Sequence, residues 1–174
     1  MRILLELIEQ RTLVLVMERV DDFIGKSALA AMKGSPTNRK KVTFEWNRDD
    51  VLKVIGSAFE GGTPYKWIDF PVSNYASSSA DMVCDASGAM LGMSMFAGYS
   101  FNERCMLSLG VVDQSVQVGD ILTMVWGEPE TTAKTSTEPH RQTEIRVRVS
   151  PTPYSQDART AYAADSWRAK AAAD

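Results

Sequence analysis

The stretch Glu144–Val149, EIRVRV, alternates apolar residues with charged ones. A period of two places the apolar side chains on one face of a β-strand and the charged ones on the other. Similar runs lie upstream, separated by turn residues, at Asp81–Asp85, Met90–Phe96, Met106–Val112 and Ile121–Trp126. Short strands at such spacing predict an antiparallel barrel or sandwich, with one face buried and one wet.

Upstream of Gly62 the sequence pattern is mostly helical. Apolar residues at helical spacing predict short helices over about 25–33 and 49–59, and Asn47 is suited to cap the second. Between them, Val42, Phe44 and Trp46 alternate with polar residues and predict a strand. The predicted fold class is α+β, mainly β: an antiparallel, jelly-roll-like barrel over roughly residues 70–150, with a short helical lead-in.

The composition excludes several classes of function. The chain has 174 residues and a net charge of −3, so it has no basic surplus with which to hold nucleic acid. No stretch approaches the ~18 apolar residues of a membrane span, and Glu6 and Glu9 interrupt the N-terminal apolar run that a signal peptide would need. We therefore expect a cytoplasmic protein that binds neither nucleic acid nor membrane. Cys84, Cys105 and the single His140 lack metal-ligand spacing, so no metal site is predicted.

Common catalytic motifs are absent from the sequence, but several linked segments resemble a known family. DDFIGKSAL (Asp21–Leu29), GYSFNERCMLSLGVVD (Gly98–Asp113) and VGDILTMVWGEP (Val118–Pro129) are similar to segments of the glycine-cleavage T-protein (aminomethyltransferase) superfamily. EPHRQTEIRVRVSPTPY and the tail YAADSWR look closest to the tetrahydrofolate-dependent O-demethylases of vanillate, syringate and 3-O-methylgallate.

The resemblance implies a division of the chain and a function. Residues 1–36 would be a remnant of the folate-binding domain, 37–66 a strand–helix connection, 67–154 the C-terminal barrel and 155–174 a tail. The implied activity moves a methyl group from an aryl methyl ether to the cofactor tetrahydrofolate. The larger part of such an enzyme lies upstream, so this chain alone should be inactive. Another folate-dependent transferase with a different donor stays open. So does a non-catalytic barrel module or truncated remnant that packs on a partner chain carrying the folate site.

Five polar residues near predicted strand ends, in the segments that carry the resemblance, are the candidate folate-binding residues: Tyr99, Arg104, His140, Arg141 and Tyr154. An arginine offers a fork of donors to a folate carboxylate, and a tyrosine can stack or donate a hydrogen bond. The structural alternatives are packing for the tyrosines, a surface ion pair for Arg104 and a structural or surface role for His140. Trp46, Trp126 and Trp167 could stack on a pterin or aryl ring, although packing is the commoner use of tryptophan. No catalytic residue is predicted within the chain.

Overall fold

The computed structural model describes residues 24–32, 38–69, 80–130 and 138–161. The helices among them are α1 (Lys26–Met32), α2 (Arg48–Gly56), a 3-10 turn (Ser57–Phe59) and α3 (Gln156–Arg159). The strands are β1 (Arg39–Trp46), β2 (Ala80–Cys84), β3 (Met90–Ser100), β4 (Cys105–Asp113), β5 (Ile121–Trp126) and β6 (Thr143–Ser150).

The strands form a closed antiparallel barrel in the order β1-β4-β3-β2-β5-β6. Strand β1 closes it, because Phe44 pairs with Ser108 of β4 on one side and with Val149 of β6 on the other. Strand β3 is irregular between Met95 and Gly98, where Phe96 has a φ of 54°. A bulge at that point lets the long strand bend around the barrel.

The barrel interior is filled by the alternating apolar residues that predicted the strands. Phe44, Met124 and Ile145 are fully buried, and so are four valines of β2, β4 and β6, namely Val83, Val112, Val147 and Val149. Gly92 and Gly110 keep the interior close-packed, since a Cβ on either would overlap neighbouring atoms of β4 or the Phe44 ring. Burial of this apolar surface is the main stabilising term of the fold.

A chain of hydrogen bonds crosses the barrel interior. The Trp46 Nε1–H donates to Ser108 Oγ at 2.9 Å, and Ser94 Oγ lies 2.8 Å from the same oxygen. Trp46 also meets Trp126 edge to face, with ring centroids 5.2 Å apart. Both indoles are therefore packed in the core, which confirms the structural alternative for these two tryptophans. Trp167 lies outside the described residues.

Helix α2 is fixed to the barrel at its first turn. The Asn47 side chain accepts from the backbone N–H groups of Asp49 and Asp50, as predicted for a cap. The Arg146 guanidinium binds both oxygens of Asp50, at 2.8 and 2.9 Å. The hydrogen bonds from Arg146 are the main reason that the pKa of Asp50 lies below its ordinary value, and the positive charges of Arg146 and Lys53 act in the same direction.

The predicted fold class is confirmed, and so are both helices and the strands. Strand β1 lies within the range 37–66, which the sequence assigned to a connection, yet it is the strand that completes the barrel. The apolar face predicted for α1 is exposed at Ile24 and Met32. The apolar run Thr12–Val16 (TLVLV), which predicts a short buried strand, lies outside the described residues, as do most of the loop after Pro129 and most of the C-terminal tail.

Replacing Ser108 by alanine should lower the free energy of unfolding by about 1–3 kcal/mol, because the buried Trp46 N–H loses its acceptor. Urea unfolding followed by tryptophan fluorescence measures the change. The matched control is Ser115→Ala at an exposed position, which should stay within about 0.5 kcal/mol of the parent. Equal stabilities of the two variants would show that the interior hydrogen-bond chain contributes nothing.

The Asp50–Arg146 bond should make stability depend on pH in the acid range. A carboxyl whose folded pKa lies below the ordinary 3.8 stabilises the fold fully above that value. This contribution is lost as the pH falls through the lowered pKa. Asp50→Asn should therefore be less stable than the parent at neutral pH and lose less stability on acidification. Urea unfolding between about pH 7 and pH 2.5 tests this. Glu60→Gln, an exposed matched change, should follow the parent curve.

Candidate functional site at one rim of the barrel

One rim of the barrel gathers most of the candidate residues. Strands β1, β3 and β5 end there and β2, β4 and β6 begin there, and α2 lies beside it. We call it the α2 rim. Tyr99 near the end of β3, Arg104 in the β3–β4 turn, and His140 and Arg141 in the β5–β6 loop all lie at this rim. The strand-end reasoning therefore placed four of the five candidates at one end of the barrel.

The rim separates these four residues into two groups. In the barrel order, the β3–β4 turn and the β5–β6 loop are separated by β1 on one side and by β2 on the other. Tyr99 packs against the core and meets Phe101 edge to face at 5.1 Å. Arg104 is exposed and has a φ of 53°, which is a strained conformation for a residue with a side chain. A ligand that touched both groups would have to span the mouth of the barrel.

His140 holds the β5–β6 loop in place. Its Nε2 accepts from the Glu128 N–H at 2.9 Å, and its Nδ1 lies 2.8 Å from the Glu138 carbonyl oxygen. These bonds suit a neutral imidazole whose proton is on Nδ1. The side chain is only 7% exposed. Gly127 has a φ of +103°, and a Cβ there would lie 3.0 Å from the imidazole. In this structure both ring nitrogens of His140 bind the loop that carries Arg141.

A half-buried ion pair lies next to His140. Lys66 Nζ is 2.8 Å from Glu128 Oε2, and the same ammonium lies 5.1 Å from the centroid of the Trp126 ring. The Trp126 Nε1–H donates to the Lys66 carbonyl at 2.8 Å. The pair therefore joins the segment after α2 to the end of β5. Sequence reasoning did not find Lys66 or Glu128, because an ion pair between distant segments leaves no local pattern.

Arg141 is held in a fixed orientation on Tyr65. Its guanidinium carbon lies 4.6 Å from the centroid of the Tyr65 ring, and its Nε donates to the Thr63 carbonyl at 2.7 Å. The Arg141 N–H also donates to the Pro64 carbonyl at 2.8 Å. Lys53 of α2 places its ammonium 5.2 Å from the same centroid. Neither Lys53 nor Tyr65 was a candidate from the sequence.

Tyr154, the fifth candidate, lies on the outer wall of the barrel. The chain turns back after β6, and the Tyr154 hydroxyl donates to Glu45 Oε2 of β1 at 2.9 Å. Burial and this carboxylate raise the pKa of Tyr154 well above its usual range. Burial, followed by the charge of Glu45, also raises the pKa of the neighbouring Cys105 thiol. Within the described ranges, therefore, Tyr154 fastens the segment after β6 to β1.

Two further searches of the described residues were negative. No group of three or more His, Cys, Asp or Glu side chains could hold a metal ion. None of the described helices is long and apolar enough to cross a membrane.

Comparison with known proteins gives close relatives. No protein-family model matches the chain. The chain is 42% identical over 153 residues to syringate O-demethylase of Sphingobium sp. (strain NBRC 103272 / SYK-6), an alignment that covers 87% of this chain and 32% of the relative. It is 36% identical over 144 residues to sesamin methylene transferase of Sinomonas sp. (strain No.22), covering 76% of this chain and 29% of that protein. The chain thus spans about a third of the length of these relatives.

Both relatives are named for removing or transferring a one-carbon group, so the homologues of this chain are one-carbon transferases. The resemblance drawn from the sequence is confirmed: the chain belongs to the glycine-cleavage T-protein (aminomethyltransferase) superfamily, and its partial coverage of the relatives fits the predicted C-terminal part. Within that superfamily its similarity is to an O-demethylase.

Two glycines with nearly the same backbone conformation test the packing around His140. Gly127 and Gly119 have φ values of +103° and +102°, but a Cβ on Gly119 would have nothing within 4 Å. Alanine should strain the backbone equally at both sites. Because two hydrogen bonds hold the imidazole, it cannot easily move away from a new Cβ at position 127. Gly127→Ala should therefore lower the free energy of unfolding by about 1 kcal/mol more than Gly119→Ala. Urea unfolding of the two variants measures this difference. If they are equally stable, His140 does not fix the loop.

Proposed function

We propose that this chain is the C-terminal barrel domain of a tetrahydrofolate-dependent aryl methyl ether O-demethylase. The observation that carries the proposal is its 42% identity to a syringate O-demethylase over 87% of this chain. In the proposed reaction the bond between the methyl carbon and the aryl oxygen breaks, and the phenolate that leaves takes up a proton. Tetrahydrofolate, when bound, supplies the nitrogen that accepts the methyl group.

We propose that the α2 rim of this domain forms one wall of the channel in which the complete enzyme binds its cofactor. The rim offers Arg104 and Arg141, both exposed, to carboxylates such as those of a folate glutamate. Phe101 lies at the same rim with 73% of its surface exposed and provides a flat apolar face next to Tyr99. These residue types fit a ligand that combines a flat ring system with carboxylates.

The remaining two candidates take supporting roles in this proposal. His140 orients the loop that carries Arg141, because both of its ring nitrogens bind that loop. Tyr154 fixes the segment after β6 to the outer wall through Glu45. Two exposed apolar residues, Ile24 just before α1 and Met32 at its end, support packing against another part of a complete enzyme. We propose that the groups that position the methyl donor and protonate the phenolate belong to that other part.

The alternative function is a non-catalytic barrel module that packs on a partner chain with its own folate site. The observation that favours it is the exposure of the apolar side chains of Ile24 and Met32, which offer a surface for a partner chain to pack on. A module of this kind would use the same rim and the same exposed α1 face. The two functions therefore differ in whether the barrel contributes to methyl transfer, which a chimeric enzyme can test.

A chimera of syringate O-demethylase, in which the matched third is replaced by this chain, should demethylate syringate with tetrahydrofolate. The 174-residue chain alone should give no product, because alignment of donor and acceptor requires both parts. Chromatography of the phenol product measures the activity of the chimera and of the chain alone. Activity of the chain alone would contradict the proposal, and so would an inactive chimera that is folded and binds tetrahydrofolate.

Single substitutions in the chimera test the rim. Arg104→Ala should weaken tetrahydrofolate binding roughly tenfold, since a charge-assisted hydrogen bond is lost. Arg148→Ala is the matched control, because Arg148 is exposed on β6 and does not lie at the α2 rim. Equal affinities of the two variants would mean that Arg104 does not contact the cofactor.

A further inference from the structure

Two cations at the α2 rim share one aromatic ring. Arg141 and Lys53 lie 4.6 and 5.2 Å from the Tyr65 centroid. Like charges gathered around one ring repel each other, and the ring quadrupole offsets only part of that repulsion. Their gathering on one ring therefore leaves a site of positive potential, in a chain whose net charge is −3.

Three other cations of the described barrel are paired with carboxylates. Lys66 lies over Trp126 and has Glu128 at 2.8 Å, Arg146 has Asp50 at 2.8 Å, and Arg39 has Asp113 at 3.3 Å. Within the described ranges, neither Lys53 nor Arg141 has a carboxylate within salt-bridge distance. Asp50, one turn from Lys53 on α2, is bound through both oxygens by Arg146. Among the described residues, the two cations around Tyr65 therefore lack the carboxylate that Arg39, Lys66 and Arg146 have.

Tyr65 and Arg141 are also preorganised. Tyr65 is fixed at its backbone, because its N–H donates to Ser57 Oγ at 3.0 Å and Ser57 Oγ donates to the Val54 carbonyl at 2.7 Å. Arg141 is fixed by the bonds of its N–H and Nε to Pro64 and Thr63, and among the described residues its two Nη nitrogens remain available to another acceptor. A guanidinium whose orientation is already set loses less entropy when it binds an anion.

We infer that Lys53, Tyr65 and Arg141 form an oxyanion-binding site whose ligand group is a carboxylate. The Nη edge of Arg141 donates to the carboxylate, Lys53 supplies the second charge, and Tyr65 keeps both in place. The preference for carboxylate over phosphate rests on the proposed function, whereas the existence of the site rests on the contacts alone. Two sources of a carboxylate are compatible with the site: an aromatic acid and a glutamyl chain.

The test is titration of the full 174-residue chain, labelled with ¹⁵N, with three probes: syringate, γ-glutamylglutamate and inorganic phosphate. The expected result is that either carboxylate shifts the Arg141 Nε–H resonance in a saturable way. The carboxylate that binds with the higher affinity then identifies the source, an aromatic acid for syringate and a glutamyl chain for γ-glutamylglutamate. Saturation by phosphate alone would overturn the carboxylate assignment. If none of the probes saturates, the site itself is refuted.

Variants separate the site from general charge and from misfolding. Lys53→Gln changes an exposed position of α2 and should weaken carboxylate binding several-fold without disturbing the fold. Arg141→Lys keeps the charge but loses the fork of donors, so it should weaken binding roughly tenfold. Arg148→Ala should bind like the parent. Equal weakening by Arg148→Ala and Lys53→Gln would overturn the inference. An inactive chimera would count against the proposed function and leave this titration unaffected.

Discussion

The double pairing of β1 is the constraint on which the rest of the structure depends. One strand pairs with β4 and β6, so each strand in the barrel has a neighbour on both sides. A closed sheet leaves no row of unpaired N–H and C=O groups at an edge. Closure also positions the site, because the end of β1 places α2 and the segment containing Tyr65 beside the β5–β6 loop. If β1 were unpaired, Tyr65 and Arg141 would lose the framework that brings them together.

The alternation of apolar residues was sufficient to locate the strands, but not to show how the barrel closes. Val42, Phe44 and Trp46 predicted β1 correctly, since period two depends only on adjacent residues. Pairing β1 with both β4 and β6 requires contacts between residues far apart in sequence, and short-range pattern contains no such information. For the same reason β1 was grouped with a connection instead of with the barrel.

The candidate site shows the same division between local and distant information. Strand ends can be predicted from the sequence, and Tyr99, Arg104, His140 and Arg141 were chosen because they lie near predicted strand ends. In the structure these four residues lie at one rim. The partners of these residues could not be read in this way. The Lys66–Glu128 pair and the approach of Lys53 to Tyr65 depend on where α2 and the β5–β6 loop meet. Whether the five candidates contact folate stays a prediction, and the structure adds a physical distinction between residues that face outward and residues that hold loops.

The positions of the two cysteines have a consequence for handling the protein. Cys84 is buried in β2, where burial, and then the charge of Asp85, raises the pKa of its thiol. Cys105 is half-buried beside Tyr154, and burial raises the pKa of its thiol as well. Since the thiolate is the form that reacts, we expect both side chains to react more slowly than an exposed cysteine with oxidants and alkylating reagents at neutral pH. A cysteine introduced at an exposed position could therefore be labelled selectively with a fluorophore while the two native thiols remain in place.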